Sequence, residues 1–379
     1  MGTTEQISFW DIQEYCQEDE NAYYEDTESR NSNGKIFVDK STRTIYELYR
    51  RYTKKEIDMS PYYQRKPMWV KPRQSKLIES ILLDIPIQVI YLAELDPTNS
   101  DGYYYEVVDG QQRLTAFFEF LDNKFKLEKL TVLNNLNGKY FSDLEARYQR
   151  IIEDYLLTVY IIKKESEKEA KFDIFERINI GSTNLNAQEI RNCVYARGES
   201  AEGLKLLSEL AQNEDFANLV NKKMLEKRMK DEELILRFLS YYLKGINDYT
   251  GSMTRFLNDT LDNYHIYKQN LETIKEDFSK SMKYINEFFG KNAFIINPKS
   301  TQINFALFDV LSTYFAKHNE TFIKNNENII KTIYYELLNN AEYRISLTAN
   351  SSTKSNTYTR FNMWEKLYKS KTVNGDIND

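Results

Sequence analysis

Residues 105–120 read YEVVDGQQRLTAFFEF. The stretch opens as an apolar, strand-like run, Asp109-Gly110 breaks it, and Leu114, Phe117, Phe118 and Leu121 then recur at i, i+3, i+4 and i+7, one buried face of a helix. The stretch predicts a strand, a tight turn and a helix, with Asp109, Gln111, Gln112 and Arg113 at the junction. A helix start offers unpaired backbone N–H groups and the positive end of the helix dipole, which together attract anions. Gly110 permits a positive φ or a close ligand approach. Arg113 has the planar fork that grips a phosphate bidentately. Gln111 and Gln112 can orient a water or hold phosphate oxygens, and Asp109 fits a metal ligand or a water-orienting base. The same letters also fit a plain turn in which Asp109 caps the helix and the arginine pairs with a neighbouring acid. No GxxxxGK[ST] or GxGxxG loop accompanies the stretch.

Working outward, KIFVDK (35–40) reads as a short strand, TIYELYRRY as a helical turn or two, and SKLIESILLDI as an amphipathic helix. IQVIYLAEL, ended by Asp96-Pro97, and LLTVYIIKK read as buried strands. Beyond about residue 166 only helical periodicity appears, in KEAKFDIFERIN, in the segment capped near Asn184, and in DEELILRFLSYYLKG, NLETIKEDFSKSMKYINEFFG and NENIIKTIYYELLNN. The expected fold class is α+β: a mixed α/β domain over 1–165 and a helical domain over 166–379, whose residues 166–200 pack on the site.

The 379 residues allow two ordinary domains. Two cysteines 177 positions apart, Cys16 and Cys193, argue against a disulfide framework and for a reducing, cytoplasmic setting. No secretory leader and no apolar stretch of about 18 residues is evident, so no membrane association is expected. The net charge of −6 disfavours non-specific coating of nucleic acid, yet the charge is unevenly placed. Residues 1–49 hold eleven acids against four bases, and residues 50–76 hold nine bases against two acids with Tyr62, Tyr63 and Trp69 interleaved. Lys66, Lys71 and Arg73 in that basic segment are candidate DNA contacts. Lys354 and Arg360 in the polar stretch TANSSTKSNTYTR (348–360) are two more, as a phosphate-contacting loop opening a last helix. A solvated face and a polar connection are the plainer readings.

DGQQRLTA (109–116) resembles the motif of the N-terminal domain shared by GmrSD-type modification-dependent restriction proteins and related phage-defence proteins. Two further boxes accompany it in the order seen there: SPYYQRKPMWVKPRQSKLIESILLDIPIQVIYL (60–92) and FERINIGSTNLNAQEIRN (175–192). The resemblance is strongest over about 40–200 and fits a stand-alone member with a helical C-terminal half. It implies a ParB/sulfiredoxin-like fold with an arginine box that binds nucleotide phosphates, and a role in restricting foreign DNA. Carried over by position, Asp109, Gln111, Gln112 and Arg113 form the catalytic core. Gly110, Gln64, Arg65, Arg177, Asn179, Gln188 and Glu189 join Arg113 in holding the nucleotide, GTP or ATP, and Asp109 is a candidate ligand for Mg²⁺. An HNH nuclease domain needs histidines, and His265 and His318 stand in no such context.

The expectation is therefore a defence protein that binds and hydrolyses a nucleoside triphosphate, coupled to recognition of modified or phage DNA. Two alternatives stay open: a non-hydrolysing DNA sensor working with a partner nuclease, and a metal-dependent DNA nickase. Oligomeric state is left undetermined.

Overall fold

The computed structural model describes residues 35–59, 69–100, 102–179, 186–196, 200–297, 299 and 301–373. The chain divides into two compact units, Ser32–Arg197 and one formed mainly by Gly198–Asp379. The first unit is α+β and the second helical, as the periodicities predict.

The first unit is built on a five-stranded mixed sheet. Its elements run β1 (Val38–Thr44), α1 (Ile45–Thr53), β2 (Ile57–Asp58), α2 (Lys71–Leu82), β3 (Ile90–Glu94), β4 (Tyr105–Asp109), α3 (Gln111–Leu121), α4 (Ala146–Asp154), β5 (Leu156–Ile162), α5 (Lys168–Asn179) and α6 (Ala187–Val194). The strand order is β1-β5-β3-β4-β2. β3 pairs antiparallel with β4 and parallel with β5, and β1 pairs antiparallel with β5 from Val38↔Ile162 to Thr44↔Leu156. The first strand thus lies later than the KIFVDK reading and takes in the polar Ser41-Thr-Arg-Thr44. An edge strand is held by the ladder of its single neighbour and needs little apolar pattern of its own.

Thr44 ends β1 and caps α1, its hydroxyl accepting from the Glu47 N–H at 3.0 Å. Pro72 sits in the first turn of α2, where its missing N–H costs nothing. One core joins helices to sheet: Ile45 and Leu48 of α1, Ile78 and Ile81 of α2, Leu114 and Phe117 of α3 and Ile152 of α4 lie against Ile90, Leu92, Val107 and Val159. Burial of such side chains stabilises by roughly 1.5–3 kcal/mol each. α2 also pins the loop after α3: the Glu79 carboxylate, 5% exposed, accepts from the backbone N–H groups of Thr131, Val132 and Leu133 at 3.0, 2.8 and 2.9 Å. Burial works to raise the Glu79 carboxyl, but the N–H donors of Leu133, Val132 and Thr131 and the Thr131 hydroxyl outweigh it and hold the pKa below the ordinary glutamate value.

In the second unit the helix Phe305–Lys317 is buried along nearly its whole length, packed by Lys230–Lys244 and Leu271–Phe289. Its one carboxylate, Asp309, is fully buried and takes a bidentate pair from Arg237 at 2.9 and 2.6 Å. Asparagine, abundant in the sequence, finds a structural use here: Asn213, Asn304, Asn319 and Asn340 each cap a helix by accepting the N–H three residues on. No helix among the described residues is long and apolar enough to cross a membrane.

Candidate functional site

The opening stretch folds as β4, a turn and α3, and one irregularity decides where its carboxylate goes. Glu94↔Tyr105, Ala93↔Glu106 and Leu92↔Val107 keep one register, but Tyr91 is opposite Asp109, so β4 carries one extra residue there. Residues paired across a ladder share a face, and strand side chains alternate. Val107 therefore follows Leu92 into the core, and the extra residue delivers Asp109 to the opposite face, that of Tyr91. Tyr91 stacks on Tyr160 of β5 with ring centroids 5.3 Å apart. Burial raises the Tyr91 pKa, and Tyr160 and the Asp109 charge add to the effect.

Gly110 makes the turn with φ +102° and stands at the N-cap of α3, where no side chain caps the first turn. Asp109 is therefore not the cap. A Cβ at position 110 would lie 2.4 Å from Ile90 Cδ1 and 3.5 Å from Arg113 Nη2, so the position needs glycine for conformation and for space. One turn on, Arg113 folds back over the glycine. Its Nη2 donates to Asp109 Oδ2 at 2.6 Å and its Nη1 to Gln88 Oε1 at 3.4 Å. Arg113 is 7% exposed, while the Asp109 side chain keeps 24% of its surface in solvent. Two of the guanidinium's five donor positions are used in these contacts. Asp109 Oδ1 has no partner among the described residues.

The glutamines point elsewhere. Gln111 Nε2 donates to the Met59 carbonyl at 2.6 Å, and Gln112 Oε1 accepts from the Trp69 N–H at 2.9 Å. The start of α2 is fastened beside them: Lys71 Nζ and Gln74 Nε2 donate to Glu119 Oε2 of α3 at 2.9 and 3.1 Å, and the Arg73 guanidinium lies 4.2 Å above the Trp69 ring.

Asp109, Gly110 and Arg113 are thus brought together, and the remaining expected residues are placed variously. Gln64, Arg65 and Lys66 lie outside the described residues, as does the side chain of Asn179. Arg177 is exposed near the end of α5, which packs against β4. Gln188 is fully buried, donating to Asn192 Oδ1 at 3.1 Å and accepting from Arg191 at 3.2 Å, so it turns into the helix and not to a ligand. Glu189 completes a capping box with Asn186, two residues later than the cap read at Asn184. Lys71 is exposed but tied to Glu119, and Lys354 is exposed over the Tyr358 ring.

Arg360 is corrected outright. It is fully buried, 3.6 Å from Asp309 and donating to the Ser346 and Ser351 carbonyls at 3.4 and 2.5 Å, so it holds the last helix in place and has no surface on which to meet DNA. His318 is half-buried, its ring in contact with those of Tyr314 and Phe322. No group of three or more His, Cys, Asp or Glu side chains gathers as a metal site among the described residues.

Sequence reading missed Gln88 and the tyrosine pair. The polar Gln88 inside the apolar IQVIY run was a signal for the first. Nothing in the letters marks the bulge that brings Asp109 beside Tyr91.

Residues 45–196 match the family described as the GmrSD restriction endonuclease, N-terminal domain. The match runs from the start of α1 to two residues beyond α6. No curated protein matches the chain.

Proposed function

From the premise of a GmrSD-type N-terminal domain, we propose that the chain is a restriction-type defence protein whose first unit binds and hydrolyses a nucleoside triphosphate, coupled to recognition of foreign or modified DNA. One observation carries the nucleotide reading: an arginine with unused donors lies over a helix start that no side chain caps, across a glycine that keeps the approach narrow. Backbone N–H groups of Gln111 and Gln112 and the free donors of Arg113 would hold the phosphates, in the manner of other helix-start phosphate sites. The likeness of this motif to the arginine box of ParB/sulfiredoxin-like domains agrees with that reading.

Mg²⁺ commonly takes one or two carboxylate oxygens and completes its shell with phosphate and water, a demand that Asp109 Oδ1 meets. When bound, the ion would neutralise charge on the transferred phosphoryl group. Asp109, at the bulged end of β4, would hold it or orient the attacking water, while Arg113 stabilises the charge that develops. Phosphate release by purified protein, with Asp109→Ala and Arg113→Ala as comparisons, tests this. Each variant is expected to lose at least 100-fold. Equal rates for all three proteins would exclude the catalytic reading.

A second reading is favoured by the ion pair itself. With Oδ2 committed to Arg113 at 2.6 Å, Asp109 serves to orient the arginine, and the unit senses a nucleotide without hydrolysing it. Nucleotide-dependent thermal stabilisation with no turnover would select this sensor role, with DNA cleavage left to a partner. Salt-dependent binding to modified and plain duplexes tests the DNA arm under either reading.

A further inference from the structure

The sheet ends at β1, which among the described residues pairs only with β5. The Ile45 N–H donates to the Tyr155 carbonyl at 3.1 Å, and the Phe37 carbonyl accepts from the Lys163 N–H at 2.9 Å. The odd-numbered residues of this segment therefore turn their backbone groups toward β5, and Val38, Lys40, Thr42 and Thr44 turn theirs away from the sheet. The ladder with β5 runs unbroken from Val38↔Ile162 to Thr44↔Leu156, so the seven-residue strand presents a regular open edge. Such an edge is a template for another strand.

The residues along the edge select what fits it. Two copies related by a two-fold axis pair antiparallel, with like residues on both sides of the axis. An axis at Lys40 would set that charge against its own copy, and an axis at Thr42 would leave Asp39 and Arg43 without opposite charges. An axis at Ser41 sets Asp39 opposite Arg43 twice, Val38 opposite Thr44 and Lys40 opposite Thr42. The Asp39 side chain is 64% exposed and meets Lys163 at 3.4 Å, while Glu47 steadies Arg43. On the axis, the Ser41 hydroxyl is buried and has no hydrogen-bond partner in its own chain, and serines facing each other across strands bond one another. Val38, which is exposed, would come beside Leu156, the partner of Thr44 and 62% exposed. Ile36 and Phe37, also exposed, run on toward the exposed Tyr46 at the start of α1.

We propose that β1 pairs antiparallel with β1 of a second copy of this chain across a two-fold axis at Ser41, joining two five-stranded sheets into one. The edge is three strand spacings, about 14 Å, from β4 and its Asp109–Arg113 junction, so the pairing does not rest on the nucleotide reading.

Sedimentation equilibrium of the full chain over about 1–200 µM, with hydrogen exchange along β1, tests this. A reversible dimer is expected, in which the Lys40 and Thr42 amides slow about tenfold from the lowest concentration to the highest and those of Ser41 and Arg43 do not change. Thr42→Pro removes an outward N–H and none that faces β5, and should weaken the dimer about tenfold. Asp39→Arg sets like charges opposite each other twice and should weaken it by a similar factor, about tenfold. The double variant Asp39→Arg/Arg43→Asp restores opposite charges and should return to within about threefold of wild type, a rescue that a local loss of stability would not give. Thermal melting confirms that each variant folds. A monomer at every concentration would overturn the proposal and leave the edge to a strand of another protein. A dimer whose Lys40 and Thr42 amides exchange as fast as in the monomer would overturn it too, because its interface lies elsewhere. Protected amides without rescue by the double variant would overturn the Ser41 register.

Discussion

Replacing Gly110 by alanine probes the turn that places Asp109 and Arg113, and its cost has two separable parts. At φ +102° a side chain occupies backbone space that costs roughly 1–3 kcal/mol. The added Cβ also meets Ile90 Cδ1 at 2.4 Å, well inside contact distance, in a core where Ile90 is fully buried. Overpacking of that kind costs about 1–3 kcal/mol more. The sum centres near 4 kcal/mol. Ile90→Val deletes the offending methyl and leaves Cγ2, which a Cβ would meet at 3.4 Å. That change alone should cost about 1 kcal/mol. If both parts are real, the double variant is destabilised by about 3 kcal/mol and not by about 5, a coupling of some 2 kcal/mol. Because the chain has two units, a single melting curve would blur the result. Native-state hydrogen exchange of the α3 amides in rising urea isolates the first unit. Additivity within about 0.5 kcal/mol would refute the steric half of the reasoning.

Other expectations follow from the buried charges. Glu79→Gln should destabilise by about 1–2 kcal/mol, the difference between charged and neutral hydrogen bonds, read by exchange of the 131–133 amides. Since the folded Glu79 pKa is lowered, its contribution is complete above the unfolded value of about 4.3 and is lost as pH falls through the folded one, so Glu79→Gln should lose part of the acid-side slope. Asp231 has the opposite sign: burial pushes its carboxyl up to about 6, so stability falls as pH rises from about 4 to 6. Asp231→Asn should flatten that window in pH-dependent urea titrations. Asp309→Ala strands Arg237 and Arg360 in the interior and should cost about 3–5 kcal/mol, confined to the amides of the helical unit.

What was legible in the sequence follows the range over which each signal acts. The strand, the glycine turn and α3 were legible because Leu114, Phe117 and Phe118 repeat within a few residues and the Asp109–Arg113 pair spans one turn. The partners of Gln111 and Gln112 were not legible, because they lie more than 40 positions away, beyond any local pattern. Arg360 was misread for the same reason. Its surroundings in TANSSTKSNTYTR are polar, and the carboxylate that draws it inward sits 51 residues earlier. That carboxylate, the single charge in FALFDVLSTYFA, was the available signal, since a lone acid in an otherwise buried helix requires a cation.

The extra residue in β4 makes the identity of the site a matter of chain length as well as of residue type. Taking out Val108 would restore even pairing along the strand with Asp109 still opposite Tyr91, whereas even pairing at the present length would set Val108 opposite Tyr91 and Asp109 opposite Ile90, and so turn the carboxylate toward the packed side of the sheet. A scan by substitution would pass over this, because no single replacement changes how many residues separate Val107 from Asp109. Single-residue deletions and insertions along 105–109 would expose it. The variant lacking Val108 is expected to keep the Asp109 carboxylate on the Tyr91 face, because the pair Tyr91↔Asp109 survives the deletion.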